Sequence, residues 1–342
     1  MPLGAVIDTC NALGIDFLAM GGDWSEQLFE ANSNANEDSL VALMARSSFP
    51  WVPIEGNWEA LPSDTTASGD PYDSARTRFS SYFGAGDWHS YDHKNVRLIA
   101  LQNCANVDTT TGDDYRQNNP VNTPGYKLND YAGITEAASP QRTWLAGKLS
   151  TRNPAHWLIP AFHRPVYGSS ANSSNRLNII SAARGDGFLK QIEDALATGE
   201  RGLALVGDQH LPLWLTKAIA DSALSAETAK GIYHLIVSSG SGARTADTTE
   251  VLGGSSLQGF LYYDNSTRSY GRTSEAWADT MTVAADPGMP YTFTWSLMTV
   301  YGDAIFVEVF RTWTTQSAGH PKYSGAGTHK RIGAYRLRRD VG

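Results

Sequence analysis

A small set of side chains suited to a hard or borderline metal ion stands at the ends of apolar runs. IDFLAMGGD ends on Asp23, FPWVPIEGN on Asn57, and GLALVGDQH on Asp208 and His210, while WLIPAFHRPVYGSS (157–170) delivers His163 and Arg164. Carboxylate and amide oxygens with imidazole nitrogens make a mixed O/N donor set. An apolar run of strand length is how a strand buried on both faces reads. A histidine or arginine at its end would be costly to bury unless something there needs it. In open α/β sheets the ligand lies beyond the carboxyl ends of the strands, so these four ends are expected to converge on one place. Taken singly, each residue has a plain structural explanation: Asp23 and Asn57 as turn residues after glycine, His163 as a core histidine bonded to backbone.

The elements that must position them alternate strand with helix, the α/β signature. Ala5, Val6, Ile7, Cys10 and Leu13 have helical spacing with Gly14 as a stop, and Ile15–Met20 reads as a short strand. Asp38 is expected to cap a helix through Arg46, with Leu40, Val41, Leu43 and Met44 facing inward. Residues 73–83 again have a helical pattern, and Val96–Leu101 is a strand preceded by the aromatic segment DWHSYDH. Ser139 and Pro140 open a helix whose buried stripe is Trp144, Leu145 and Leu149. Residues 185–198 form another, with Phe188, Leu189, Ile192 and Leu196 on one face and Gly199 at its end.

Beyond residue 230 the pattern turns to strands. GIYHLIVSSGSG is a strand entering a glycine-rich turn, and YTFTWSLMTVYGDAIFVEVF is a β-hairpin turning at Gly302 and Asp303. Residues 62–73, 105–138 and 243–288 are polar and irregular and are expected to loop over the surface.

The 342 residues carry 27 Lys and Arg against 35 Asp and Glu, a formal charge of -8, which argues against a nucleic-acid partner. Two cysteines, Cys10 and Cys104, make neither a disulfide framework nor a cysteine zinc site and read as packed thiols. No run is long enough to cross a bilayer, so no membrane partner is expected. Charged residues make up 18%, and the abundance of small polar residues leans towards a secreted or surface setting. The start lacks the pattern of a signal peptide, and localisation stays open.

The series GD, GN, HRPVY and Gly-x-x-His, each on a strand end, resembles the calcineurin-like metallophosphoesterases. HRPVYGSS, YDHKNVRLIALQ and QRTWLAGKL resemble purple acid phosphatases, and GDQH resembles the alkaline phosphatase D type. The resemblance implies an α/β fold, a metallophosphoesterase-like β-sandwich of two mixed sheets flanked by helices. A phosphoesterase domain is expected over residues 1–312, with a C-terminal extension over 313–342. Two divalent or trivalent ions (Fe, Mn or Zn) and a small phosphate-ester substrate are implied. Asp23 would bridge the ions, Asn57, His163 and Asp208 would bind the second, and His210 the first. Arg164 would contact phosphate or form a structural ion pair.

The sequence departs from that family in three places. The opening strand and its aspartate are absent, the chain beginning on what should be the following helix. Trp58 stands where the family has a histidine that serves the leaving group, and Asp208 replaces a histidine ligand. Glu26 occupies the place of a tyrosine ligand. Two functions follow: a phosphoesterase whose opening strand lies upstream of Met1, or a non-catalytic relative with a binding or structural role. Ligand-type residues kept at four strand ends favour the enzyme.

Overall fold

The computed structural model describes residues 2–22, 35–56, 79–86, 88–102, 140–163, 188–197, 200–207, 213–215, 231–236, 261–264, 269–272, 292–313 and 328–339. Over these the chain is a mixed α/β structure, as its alternating pattern requires.

Helix α1 (Pro2–Leu13) stops at Gly14, whose φ of +64° only glycine adopts without strain. Gly14 N–H donates to Asn11 O at 3.2 Å and Ile15 N–H to Cys10 O at 3.3 Å, a Schellman closure. That closure uses Ile15, so β1 is Leu18–Met20 and starts later than the apolar run does. Helix α2 (Ala35–Met44) leads to β2 (Trp51–Pro53), which pairs parallel to β1. Asp38 lies inside α2 rather than capping it. Val41 is 36% exposed, because it stands about 100° around the helix from Leu40, whereas Leu43 and Met44 return to Leu40's side.

Strands β3 (His89–His93) and β4 (Val96–Leu101) form an antiparallel hairpin, so the aromatic segment expected only to precede a strand is itself one. Helix α3 (Pro140–Ser150) leads to β5 (Trp157–Phe162), and α4 (Phe188–Asp194), which ends before its pattern does, leads to β6 (Arg201–Val206). With β7 (Leu213–Leu215), β8 (Gly231–Ile236), β9 (Leu261–Asp264) and β10 (Ser269–Arg272) these make an eight-stranded mixed sheet ordered β10-β9-β7-β8-β6-β5-β4-β3. The antiparallel pair β9–β10 corrects the expectation that 243–288 is all loop. LYYD and SYGR are too short and too polar to stand out by periodicity.

The C-terminal hairpin is β11 (Thr292–Val300) with β12 (Ala304–Trp313), and β13 (Thr328–Arg338) pairs with β12 along its length. Inward residues of β2, β4, β5, β6, β12 and β13 meet in one core that includes Ile54, Leu98, Trp157, Ile159, Leu205, Val307 and Leu337. On the far side of β11 and β12, Trp295 packs with Val6, Ile7, Cys10 and Phe49. Burial there pushes the Cys10 thiol up to about 11, so it stays protonated and packs as a small hydrophobe.

Helix α3 runs antiparallel to β4. Near its start Gln141 bonds the backbone just past Leu101, and near its end the Lys148 carbonyl accepts from Arg97 at 2.7 Å. At this base of the sheet, where β4, β5 and β6 begin, a buried ion pair closes the structure. Arg152 grips Glu200 at 2.6 and 2.8 Å, Ala197 N–H donates to the same carboxylate at 2.8 Å, and Arg339 adds a contact at 3.2 Å. Arg339 also donates to the carbonyls of Pro154, Ala155 and His156 and lies over the Trp157 ring.

Candidate functional site

The opposite end of the sheet, where the parallel strands finish, brings several strand ends into contact. Strand β4 pairs with β5 from Val96↔Trp157 to Leu101↔Phe162, but β5 meets β6 only at Ala161↔Leu205 and Phe162↔Val206. The ladder then continues one step past both strands, Gly207 N–H donating to His163 O at 2.9 Å. Thus β5 and β6 are drawn together at the His163 end.

His163 is 0% exposed, and its ring Nδ1 lies 2.6 Å from the carbonyl oxygen of Gly21, the residue after β1. A methyl group on Gly22 would sit 2.6 Å from both His163 Nδ1 and Gly56 Cα. One on Gly207 would sit 2.9 Å from Nδ1 and overlap the Gly21 carbonyl oxygen. The ends of β1, β2, β5 and β6 therefore meet within van der Waals distance around one imidazole. Glycine is needed at 22 and 207 because backbone and ring fill the space a side chain would take.

His163 is thus placed at the end of a wholly buried strand, as its sequence context requires. Asp23, Asn57, Arg164, Asp208 and His210 lie outside the described residues, as do Glu26, Trp58 and Cys104. The residues immediately before Asp23, Asn57, Arg164 and Asp208, namely Gly22, Gly56, His163 and Gly207, belong to this close-packed group. Among the described residues there is no cluster of three or more His, Cys, Asp and Glu able to hold a metal.

Two positioning residues were not singled out from the sequence. Gln102 follows Leu101, the partner of Phe162, so it stands in register beside His163. Gln141 on α3 accepts from Gln102 N–H at 2.8 Å and donates to Gln102 O at 2.9 Å, fixing the end of β4 as another strand would. The signal was available: VRLIALQ is an apolar run ending on a polar residue, the same device as the other four. Gln141→Leu removes both bonds from a fully buried backbone, and we expect it to cost about 1–3 kcal/mol in a denaturant melt. A cost near zero would mean that the end of β4 is held by other contacts.

His89, at the same end of the sheet but on the edge strand, is not part of this contact. It lies two strands from His163, with Nδ1 3.2 Å from Gly86 O, and burial holds its pKa below the ordinary histidine value.

No family profile and no curated protein matches the chain. Among solved structures it is similar to the crystal structure of phosphopantetheinyl hydrolase (PptH) from Mycobacterium tuberculosis, with a TM-score of 0.33 and 13% identity over 65% of this chain and 79% of that one. The likeness is distant. No helix among the described residues is long and apolar enough to cross a membrane.

Proposed function

We propose that the chain is a metal-dependent phosphoric ester hydrolase with the sandwich architecture of the calcineurin-like metallophosphoesterases. The observation that carries this reading is the meeting of four strand ends around His163, because the ligand-type residues Asp23, Asn57 and Asp208 each follow a glycine of that contact. A buried histidine whose Nδ1 faces a backbone carbonyl is held as metal-ligating imidazoles usually are, with one ring nitrogen bonded to the protein and the other left to the ion. In this reading His163, Asn57 and Asp208 would hold one ion, His210 would hold the other, and Asp23 would serve both. Arg164 neutralises a phosphate oxygen. Two such ions, when bound, lower the pKa of a water and offset charge on the phosphoryl oxygens during in-line attack. The chain's own part is to hold the donors rigidly and to exclude water, for which a fully buried β5 and close-packed glycines are suited.

The test is metal content and aryl phosphate hydrolysis of the purified chain, with His163→Ala beside it. An aryl phosphate is the substrate to use because Trp58 offers no proton to a leaving group, and a phenolate needs little help. Wild type is expected to bind iron, manganese or zinc, and His163→Ala to lose hydrolysis by about 10²-fold with its metal. Wild-type protein that binds none of these metals and cleaves nothing would hand the fold to the binding or structural role instead.

A further inference from the structure

The contact between His163 and Gly21 has a chemical direction. A carbonyl oxygen can only accept, so at 2.6 Å the ring Nδ1 must carry the hydrogen. A neutral imidazole protonated there has its lone pair on Nε2. We infer that the Gly21 carbonyl is a positioning group that fixes His163 in the Nδ1–H tautomer, making Nε2 the atom through which this histidine acts. The inference deepens the proposed metal site and rests on it for the use to which Nε2 is put.

The glycines beside the contact belong to the same device. The carbonyl reaches the ring only because β1 and β6 finish so close together that a methyl at 207 would overlap Gly21 O, and one at 22 would press on Nδ1. The His163 backbone cannot withdraw from the contact, since its carbonyl is held by Gly207 N–H at 2.9 Å. Ring and backbone of one residue are thus tied to two different strand ends. The Gly-Gly of the first apolar run and the glycine of the last are therefore explained by a histidine in the third. A mobile imidazole would exchange tautomers and offer either nitrogen, whereas this one is committed before any ligand arrives.

The decisive measurement is the imidazole nitrogen–proton spectrum of metal-free, nitrogen-labelled protein at mildly alkaline pH. The His163 signals are assigned by their loss in His163→Asn. A hydrogen on Nδ1 and none on Nε2 is expected. The opposite tautomer, or a mixture of the two, overturns the inference.

The variant gives a second readout. Asparagine places an amide N–H close to where Nδ1 stood but has no atom at the position of Nε2. His163→Asn should melt closer to wild type than His163→Ala does, yet bind metal more weakly than wild type by about tenfold or more. If the two variants melt together, the Gly21 bond does not position the side chain. If His163→Asn keeps wild-type metal affinity, Nε2 is not the acting atom. Should wild type bind no metal at all, the proposed function fails, and the tautomer and melting comparison still decide the role of Gly21.

Discussion

Arg152→Met is expected to lower folding stability by about 3–5 kcal/mol, because it strips a buried carboxylate of its main partner. The side chains of Arg152 and Glu200 are each only 6% exposed, so water cannot replace the lost guanidinium. Burial alone would raise the Glu200 pKa, but the hydrogen bonds from Arg152, Ala197 N–H and Arg339 outweigh it and hold the carboxyl below its usual range. A depressed folded-state pKa stabilises the fold above the unfolded-state value and stops doing so as pH falls through the folded one. The gap between wild type and Arg152→Met should therefore be widest at neutral pH. It should narrow as pH falls from the raised pKa of the unpartnered Glu200 in the variant to the depressed one in wild type, below which Glu200 is neutral in both proteins. Denaturant melts across that range give the result directly. Adding Glu200→Met to Arg152→Met should recover much of the loss, since the buried carboxylate is then gone and Arg339 keeps its bonds to the carbonyls of Pro154, Ala155 and His156. A double variant no better than the single one would mean that the pair matters for shape rather than charge.

The second large effect is expected at Gly22. Its φ is +85°, and an added methyl would meet backbone and the His163 ring at 2.6 Å. Left-handed backbone costs a substituted residue about 1–2 kcal/mol. Forcing a close-packed contact apart costs about 1–3 kcal/mol more. Gly14→Ala is the control: its φ is also positive, at +64°, but nothing lies within 4 Å of the added methyl. Gly14→Ala should show the backbone cost alone and Gly22→Ala the sum, about 2–5 kcal/mol. Equal losses would show that the strand ends move apart freely, and with that the tight meeting around His163 would lose its meaning.

Much of this architecture was legible because apolar runs and their punctuation are local signals. WLIPAF reads as a buried strand and is one, and Gly14 reads as a helix stop and takes the φ that a stop requires. The hairpin at Gly302 was legible for the same reason. Other features depend on distant partners. Nothing near Gln141 in the chain says that it will complete the end of β4, and nothing near Glu200 announces Arg152, 48 residues away. In the site, the residue types and their places after glycine could be read directly. That the glycines exist to make room for an imidazole could not, because the ring comes from another strand.

Those separations also order events in time. Arg339 bonds Ala155 across 184 residues, and Trp157 Nε1–H reaches Tyr301 O across 144. Closing loops of that size is entropically unfavourable until intervening structure has shortened the path, so contacts of this kind form late in folding. Interactions absent from the transition state slow unfolding without hastening folding. Arg339 is in this sense expected to act as a latch, contributing little to how quickly the sheets assemble and much to how long they stay assembled.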